Sequence, residues 1–122
     1  MAMMLVKYRD DYEKTTMGLL SFLPDFHSVK HLTGELDWYK TGHNRQMYLW
    51  KNADNQFTGV VGLECLDEVV LVRQLVLSPQ DRNDTTRAAI LNAVAELFPQ
   101  LHVMGTIATT PMIMRWQNLD GH

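Results

Sequence analysis

Between residues 69 and 98 the pattern of hydrophobic and polar positions changes twice. Val69–Leu77 is almost entirely β-branched and aliphatic, interrupted only by Arg73 and Gln74. Such a run is typical of a strand covered on both faces, so it predicts a strand in the middle of a sheet. A polar loop over 78–87 follows, and then a segment whose apolar residues have the spacing of one helical face: Ile90, Leu91, Val94, Leu97 and Phe98. We expect this helix to pack its apolar stripe against the sheet.

The first third of the chain predicts a short strand and two helices. Leu5–Tyr8 alternates as a short strand does, and Asp10 or Asp11 can cap a helix that ends before Pro24. Gly18 lies inside that helix, and we expect it to pack closely against the sheet, with space for a ligand as the alternative. Ser28 is a suitable N-cap for the second helix, which has apolar residues at helical spacing and is followed by Gly42.

The rest of the chain predicts a hairpin, the strand and helix described above, and a last strand and helix. The hairpin joins 46–51 and 56–64 through four turn-forming residues, and Phe57, Gly59, Val61 and Leu63 of its second strand are predicted to share a face. Residues 101–108 alternate again, and a last helix begins at Pro111. The order is β-α-α-β-β-β-α-β-α. We therefore predict a single α+β domain over residues 1–122, with a mixed sheet and helices on both faces.

Composition narrows the class of protein. The chain has 122 residues, of which 46% are hydrophobic, and a formal net charge of −3. One core is the expectation for this length, and the acidic balance argues against a nucleic-acid partner. The sequence has one cysteine, Cys65, and neither a leader nor an apolar run long enough to cross a membrane. We expect a cytoplasmic protein without a membrane partner, and an inert Cys65 in the core rather than an acyl acceptor.

Two groups of residues resemble known proteins. Leu75-Val76-Leu77-Ser78-Pro79 followed by Arg82 resembles the strand and loop of the GNAT family of N-acetyltransferases, where Leu-x-Val-x-Pro leads into Arg-x-x-Gly-x-Gly/Ala. Thr85 and Arg87 stand at the two glycine positions. Residues 17–24 and 45–51 are similar to segments of the RibT-type acetyltransferase-like proteins encoded with riboflavin-biosynthesis genes. The predicted element order is also that of the GNAT fold, with a short C-terminus.

The resemblance implies acetyl-CoA as co-substrate and a set of residues that contact it. The pantetheine arm would lie against the backbone of Leu75, Val76 and Leu77 and of residues 105–108. The pyrophosphate would lie at the start of the helix, near Arg82, Asn83, Thr85, Thr86 and Arg87. Because side chains replace both glycines, either the loop is rebuilt or the phosphates bind differently, and a threonine at positive φ would be strained. Asp81 and Asp84 nearly cancel the two arginines, and we expect Asp84 to cap the helix.

The resemblance also requires a base for the attacking amine and an acid for the leaving thiolate. Glu64 or Glu68, beside the turn into the strand, could act as the base directly or through water, although the pattern favours exposed turn carboxylates without a catalytic role. Trp116 stands near the position of the tyrosine that serves as acid in the family. An indole N–H cannot supply a proton at useful pH, so the thiolate would depend on water.

The sequence supports two alternative functions, and it does not predict a metal site. His27, His31 and Glu35 have the spacing of metal ligands on a helix, but a solvated helix face explains them better. The first function is acetylation of an unknown amine, small molecule or protein, by acetyl-CoA, with the link to riboflavin biosynthesis that the resemblance implies. The alternative is a non-catalytic binding or oligomerisation module that keeps the fold but has lost standard CoA binding. The short C-terminus leaves an exposed sheet edge, which predicts a homodimer.

Overall fold

The structure is a computed structural model that describes residues 3–24 and 28–120. Its elements follow the predicted order, and their bounds are β1 Met4–Lys7, α1 Glu13–Leu20, α2 Val29–Thr41, β2 Arg45–Lys51, β3 Phe57–Cys65, β4 Val69–Leu77, α3 Asp84–Leu97, β5 His102–Gly105 and α4 Thr110–Asp120. Short 3-10 turns at Asp10–Tyr12 and Pro79–Asp81 precede α1 and α3. Among these helices none is long and apolar enough to cross a membrane.

The strands form one five-stranded sheet in the order β1-β2-β3-β4-β5. Neighbouring strands are antiparallel except for β4 and β5, which run parallel. The prediction that Val69–Leu77 is an interior strand is confirmed, but β3 rather than β4 is the middle strand. Parallel pairing of β4 with β5 requires a crossover, and α3 supplies it.

Two apolar cores lie on the two faces of the sheet. On one face α3 and α4 cover a cluster that includes Val61, Val72 and Val94, and on the other α1 and α2 cover a cluster that includes Leu36 and Val60. The predicted stripe of α3 is confirmed at Ile90, Leu91 and Val94, each fully buried. It is wrong at Leu97, which is 44% exposed because the helix is ending there and has passed the sheet.

A β-bulge in β3 changes the predicted face of Phe57. Trp50 pairs with Gly59 and Lys51 pairs with Phe57, so Thr58 is an extra residue on β3. An extra residue reverses the alternation of side chains beyond it. Phe57 therefore packs with the α1 and α2 core, whereas Val61 and Leu63 pack with the α3 and α4 core.

The predicted helix starts are partly confirmed. Ser28 caps α2, since its hydroxyl accepts a hydrogen bond from the N–H of His31 at 3.2 Å. Neither Asp10 nor Asp11 caps α1, because both lie in the preceding 3-10 turn and Tyr12 is the N-cap residue. The close packing predicted for Gly18 is also wrong, as a Cβ atom built there would have no neighbour within 4 Å.

Candidate functional site

The two parallel strands separate halfway along β4. Their pairing runs from Val69 and His102 to Val72 and Gly105, where β5 ends. At this point the Val72 carbonyl accepts a hydrogen bond at 2.6 Å from the hydroxyl of Thr109, which follows β5. β4 continues to Leu77, and no described strand pairs with this part of its outer side.

The backbone of Leu75 and Leu77 faces this gap. Ser78 N–H donates to the Thr58 carbonyl of the β3 side at 2.8 Å, and the backbone groups of an antiparallel strand alternate in direction. Ser78, Val76 and Gln74 therefore bond to β3, and Leu75 and Leu77 point away from it. The guanidinium group of Arg82 confirms the direction, because it donates to the Leu77 carbonyl at 3.2 and 3.0 Å.

A cavity of about 340 Å³ occupies the gap. Leu75 forms one wall, and Ala108, Thr109 and Met112 form the wall on the α4 side. Arg73 and Gln74 line the cavity where the two strands begin to separate. This is the main-chain arrangement that can hold an extended ligand as an added strand. Of the predicted binding residues Leu75, Val76 and Leu77, Leu75 lines the cavity. The backbone of Leu77 faces the same open edge of β4, whereas that of Val76 faces β3.

The loop after β4 does not have the predicted conformation. α3 begins at Asp84, and the residue that caps it is Asn83, whose side chain accepts from the N–H of Thr86 at 2.8 Å. The loop was predicted to extend through Arg87 and Asp84 was predicted to be the cap, so both predictions are wrong. Thr85 and Arg87 are ordinary helical residues, and Asn55 is the only described non-glycine residue with a positive φ. The strain predicted for Thr85 is therefore absent.

The charges around this helix start are arranged differently from the prediction. The Asp81 carboxylate forms no ion pair with a described arginine and instead accepts hydrogen bonds from Asn52 and Thr58, at 3.1 and 2.6 Å. Asp84 forms ion pairs with Arg87 at 3.2 Å and with Arg115 of α4 at 3.3 Å. The N–H groups of Asp84 and Thr85, in the first turn of α3, have no carbonyl partner within the helix.

A polar cluster lies on the α2 face of the sheet next to the cavity. Gln74 pairs with Gly62 and Val72 with Leu63, so Arg73 is an extra residue on β4. This bulge turns the side chains of Arg73 and Gln74 toward the same face. The Tyr39 hydroxyl donates to Gln74 at 2.9 Å and the Gln74 amide donates to Glu35 at 2.9 Å. Arg73 forms an ion pair with Glu64 at 3.0 Å.

We call these five residues, Glu35, Tyr39, Glu64, Arg73 and Gln74, the Gln74 cluster. Burial raises the pKa of Tyr39, with a further contribution from the nearby Glu35, so this hydroxyl keeps its proton and remains a donor. Sequence reasoning identified only Glu64 as functional. A signal for the others was visible, since Arg73 and Gln74 are the two polar residues that interrupt the apolar run of β4.

The two predicted bases lie at different distances from the cavity. Glu64 lies beside the cavity, because it forms an ion pair with Arg73, which lines the cavity wall. Glu68 precedes β4, and its carbonyl accepts from His102 N–H at 2.9 Å. Because a strand rises about 3.3 Å per residue, Glu68 is roughly 23 Å along the strand from Leu75. The structure does not bring Glu68 to the cavity.

The other candidate side chains lie elsewhere. Trp116 is buried, and its indole N–H donates to Asn92 of α3 at 2.9 Å, so it joins the two helices and does not line the cavity. Cys65 is half-buried beside the α3 core, where burial raises the pKa of its thiol. Of the three residues with metal-ligand spacing, for which a solvated helix face was preferred, Glu35 accepts a hydrogen bond from Gln74, His31 is exposed and His27 lies outside the described residues.

Comparisons with known proteins identify this fold. No model of a protein family matches the sequence. A curated relative from Bacillus methanolicus, an uncharacterized N-acetyltransferase in the lysA 3' region, is 27% identical over 119 residues, which cover 97% of this chain and 98% of the relative. The relative and the solved structures together support a relationship with the GNAT N-acetyltransferases.

Two solved structures illustrate the likeness. The aminoglycoside 6'-N-acetyltransferase AAC(6')-Ih of Acinetobacter baumannii has a TM-score of 0.69 at 14% identity, with 99% of this chain and 91% of that chain covered. The spermidine N-acetyltransferase of Vibrio cholerae, in complex with CoA and spermine, has a TM-score of 0.72 at 12% identity, with 98% and 79% covered. The chain has the GNAT acyl-CoA N-acyltransferase fold, as its sequence predicted.

Proposed function

We propose that this protein transfers the acetyl group of acetyl-CoA to an amine. The observation that carries the proposal is the cavity where β4 leaves β5, which Leu75 lines, together with the unpaired outer backbone of Leu75 and Leu77 on that edge of β4. A pantetheine arm has amide groups that can pair with such a strand edge. The curated relative is described as an uncharacterized N-acetyltransferase, and two neighbouring structures, those of AAC(6')-Iy and of the Vibrio cholerae spermidine N-acetyltransferase, contain CoA. These relationships support acetyl-CoA as the co-substrate and an amine as the acceptor.

The phosphates of the co-substrate would lie at the start of α3. The free N–H groups of Asp84 and Thr85 point out of the helix, and the helix dipole favours an anion there. Arg87 and Arg115, both close to Asp84, would add positive charge. Asn83 and Thr86 support this turn through the cap hydrogen bond. Arg82 has another role, since it already occupies the Leu77 carbonyl.

The chemistry of the transfer follows from the placement of the Gln74 cluster. The amine nitrogen attacks the thioester carbonyl, the N–C bond forms, the C–S bond breaks and the amine loses a proton. We propose Glu64 as the acceptor of that proton, directly or through water, because it is the predicted carboxylate beside the cavity wall. The thiolate takes its proton from water, since Trp116 does not line the cavity.

The test of co-substrate binding is a pair of alanine variants. Ala108→Trp would fill the cavity from its α4 wall, and Ala108 is exposed, so the fold should tolerate the change. Ala53→Trp is the control, because Ala53 is also exposed but lies in the turn between β2 and β3. Calorimetric titration with acetyl-CoA and with CoA should show binding to wild type and to Ala53→Trp, and at least tenfold weaker binding to Ala108→Trp. Equal affinities in all three proteins would place the ligand elsewhere.

The test of the proposed base uses the two glutamates. Glu64→Gln should lower the rate of CoA release in a thiol assay with a panel of amines, and Glu68→Gln should not. Acetyl-CoA affinity should be unchanged in both. A greater loss with Glu68→Gln would exclude Glu64 as the base.

The alternative is a non-catalytic member of the fold. The carboxylate of Asp84 stands at the helix start that would receive the pyrophosphate, and this observation favours weak CoA binding. A folded protein that binds neither acetyl-CoA nor CoA in the calorimetric titration, and releases no CoA with any amine of the panel, would fit this alternative.

Three finer proposals rest on the sequence resemblance and on the sheet edge. The similarity of residues 17–24 and 45–51 to RibT-type proteins suggests a cytoplasmic role linked to riboflavin biosynthesis. Riboflavin auxotrophy or altered flavin levels after deletion of the gene would support it.

The outer edge of β5 has no partner strand in the described chain, which supports a homodimer. Light scattering would distinguish a dimer from the 14.1 kDa monomer.

A further inference from the structure

A second cleft lies near the β1 edge of the sheet, between the end of β1, the start of β2 and the end of α2. Its volume is about 300 Å³. Four cationic residues, Lys7, Arg9, Lys40 and Arg45, line it, together with one acidic residue, Asp10. The lining therefore has a charge of about +3 at neutral pH. The whole chain has a net charge of −3, so this concentration of positive charge is local.

Internal ion pairs neutralise only part of this charge. Lys40 lies 3.2 Å from Asp10, and Arg9 lies 3.2 Å from Asp11. Among the described residues, neither Lys7 nor Arg45 forms an ion pair. Like charges held close together repel one another, and this repulsion raises the free energy of the folded protein. A bound anion would offset it.

The position of Arg45 is fixed by its neighbours. Its guanidinium lies over the Trp38 ring, 4.1 Å from the centroid, which is a favourable cation–π geometry. Gly42 makes this position available, because a Cβ atom at residue 42 would overlap the Arg45 side chain. The stacked guanidinium keeps its N–H groups in its own plane, where they can bind an anion at the edge of the ring.

We propose that this cleft binds a phosphate group of a small molecule. A phosphate carries close to two negative charges at neutral pH and accepts several hydrogen bonds, which suits two guanidinium and two ammonium groups around one cleft. The volume lies at the lower end of the range for small-molecule sites, so it suits a phosphorylated metabolite rather than a polymer. The site is independent of the proposed acetyl transfer.

The cleft is close to the Gln74 cluster. Tyr39 forms part of its wall, and the hydroxyl of the same residue binds Gln74, which lines the cavity. The guanidinium groups of Arg45 and Arg73 both lie over the Trp38 ring, 4.1 and 4.7 Å from its centroid. A phosphorylated ligand in the cleft would therefore lie on the same face of the sheet as the Gln74 cluster, which includes the proposed base Glu64.

The experiment is a titration of the protein with inorganic phosphate in the absence of acetyl-CoA, monitored through the amide NMR chemical shifts. The cleft variants are Lys7→Gln and Arg45→Gln, and the controls are Lys14→Gln and Lys30→Gln, which remove exposed positive charges outside the cleft. We expect saturable shifts around residues 7–10 and 39–47, at least tenfold weaker binding in each cleft variant, and less than twofold change in the controls.

Two results would overturn the proposal. One is an equal loss of phosphate affinity in control and cleft variants, which would mean that phosphate binding depends on the net charge of the protein alone. The other is a wild-type response to phosphate no larger than the response to sodium chloride at the same ionic strength. Circular dichroism shows whether each variant is folded. Because acetyl-CoA is absent, neither result bears on acetyl transfer.

Discussion

The Tyr39 hydroxyl lies where the side chain of residue 62 would be if that residue were not glycine. A Cβ atom at Gly62 of β3 would overlap the hydroxyl of Tyr39. Tyr39 lies in α2, and its hydroxyl passes over Gly62 to donate a hydrogen bond to Gln74 of β4. Since Tyr39 is only 4% exposed, it has no alternative position in solvent without losing its core contacts. The glycine thus allows the hydrogen bond that joins α2 to the bulge of β4.

Gly62→Ala should therefore destabilise the protein by about 1–3 kcal/mol, the usual cost of overpacking a core. Gly18→Ala is the matched control, because a Cβ atom at Gly18 meets nothing within 4 Å. Alanine is the better helix former, so this second variant should gain about 0.5–1 kcal/mol. Urea denaturation measures both changes. Equal effects of the two variants would show that Tyr39 does not occupy the space beside Gly62.

The stability of the protein should fall as the pH rises above about 10, the ordinary pKa of tyrosine. Burial raises the pKa of Tyr39, and smaller shifts in the same direction occur at Tyr8 and Tyr48. In this range the unfolded chain releases protons that the folded chain keeps, so the free energy of unfolding decreases with pH.

Tyr39→Phe should reduce this decline, by up to about 1.4 kcal/mol per pH unit. Denaturation of both proteins at pH 8 and pH 11 gives the comparison. The phenylalanine variant also loses the hydrogen bond to Gln74, which lowers its stability at both pH values. A decline of the same size in the two proteins would show that Tyr39 does not titrate as proposed.

Val94→Asp should unfold the protein or cost several kcal/mol, because Val94 is fully buried between α3 and the sheet. Leu97→Asp, three residues later, should cost less than about 1 kcal/mol, since its side chain is 44% exposed. Thermal melts of the two variants test the register of α3. Similar melting temperatures would contradict it.

The strands and helices of this fold could be predicted because their burial follows local periodicity. Val69–Leu77 is a run of apolar residues with two polar interruptions, and such a run predicts an interior strand whatever the partners are. Ser28 could be predicted as an N-cap because its side chain bonds to an N–H group in the first turn of the helix that it precedes. Both features depend on residues close in sequence.

The site could be predicted only in part because it depends on pairing between distant segments. The bulges at Thr58 and Arg73 arise from the register of β3 with its neighbours, and nothing in the local sequence places them. Arg73 and Gln74 therefore point to the same face, against the alternation expected of a strand. The loop after β4 was misjudged because Asn83 competes with Asp84 for the cap, and the two differ little in preference.

Asp81→Ala should destabilise the protein by about 1–3 kcal/mol, because it leaves two donors without their acceptor. The donors are the side chains of Asn52 and of Thr58, which is 2% exposed. Since Asp81 holds the connection from β4 to α3 against the hairpin, the variant should also weaken acetyl-CoA binding. Asp54→Ala, in the exposed hairpin turn, is the control. Unchanged stability in Asp81→Ala would show that water replaces the carboxylate without cost.

The most direct test of the central claim is an amide NMR titration of the wild-type protein with acetyl-CoA. If the pantetheine arm lies against the unpaired edge of β4, as proposed, the amide signals of Leu75 and Leu77 should shift downfield because their N–H groups gain acceptors. Val76, whose backbone bonds to β3, should shift much less. Saturable downfield shifts at Leu75 and Leu77, absent in Ala108→Trp, are the predicted result. Saturable binding that leaves the amides of Leu75 and Leu77 unchanged would contradict it.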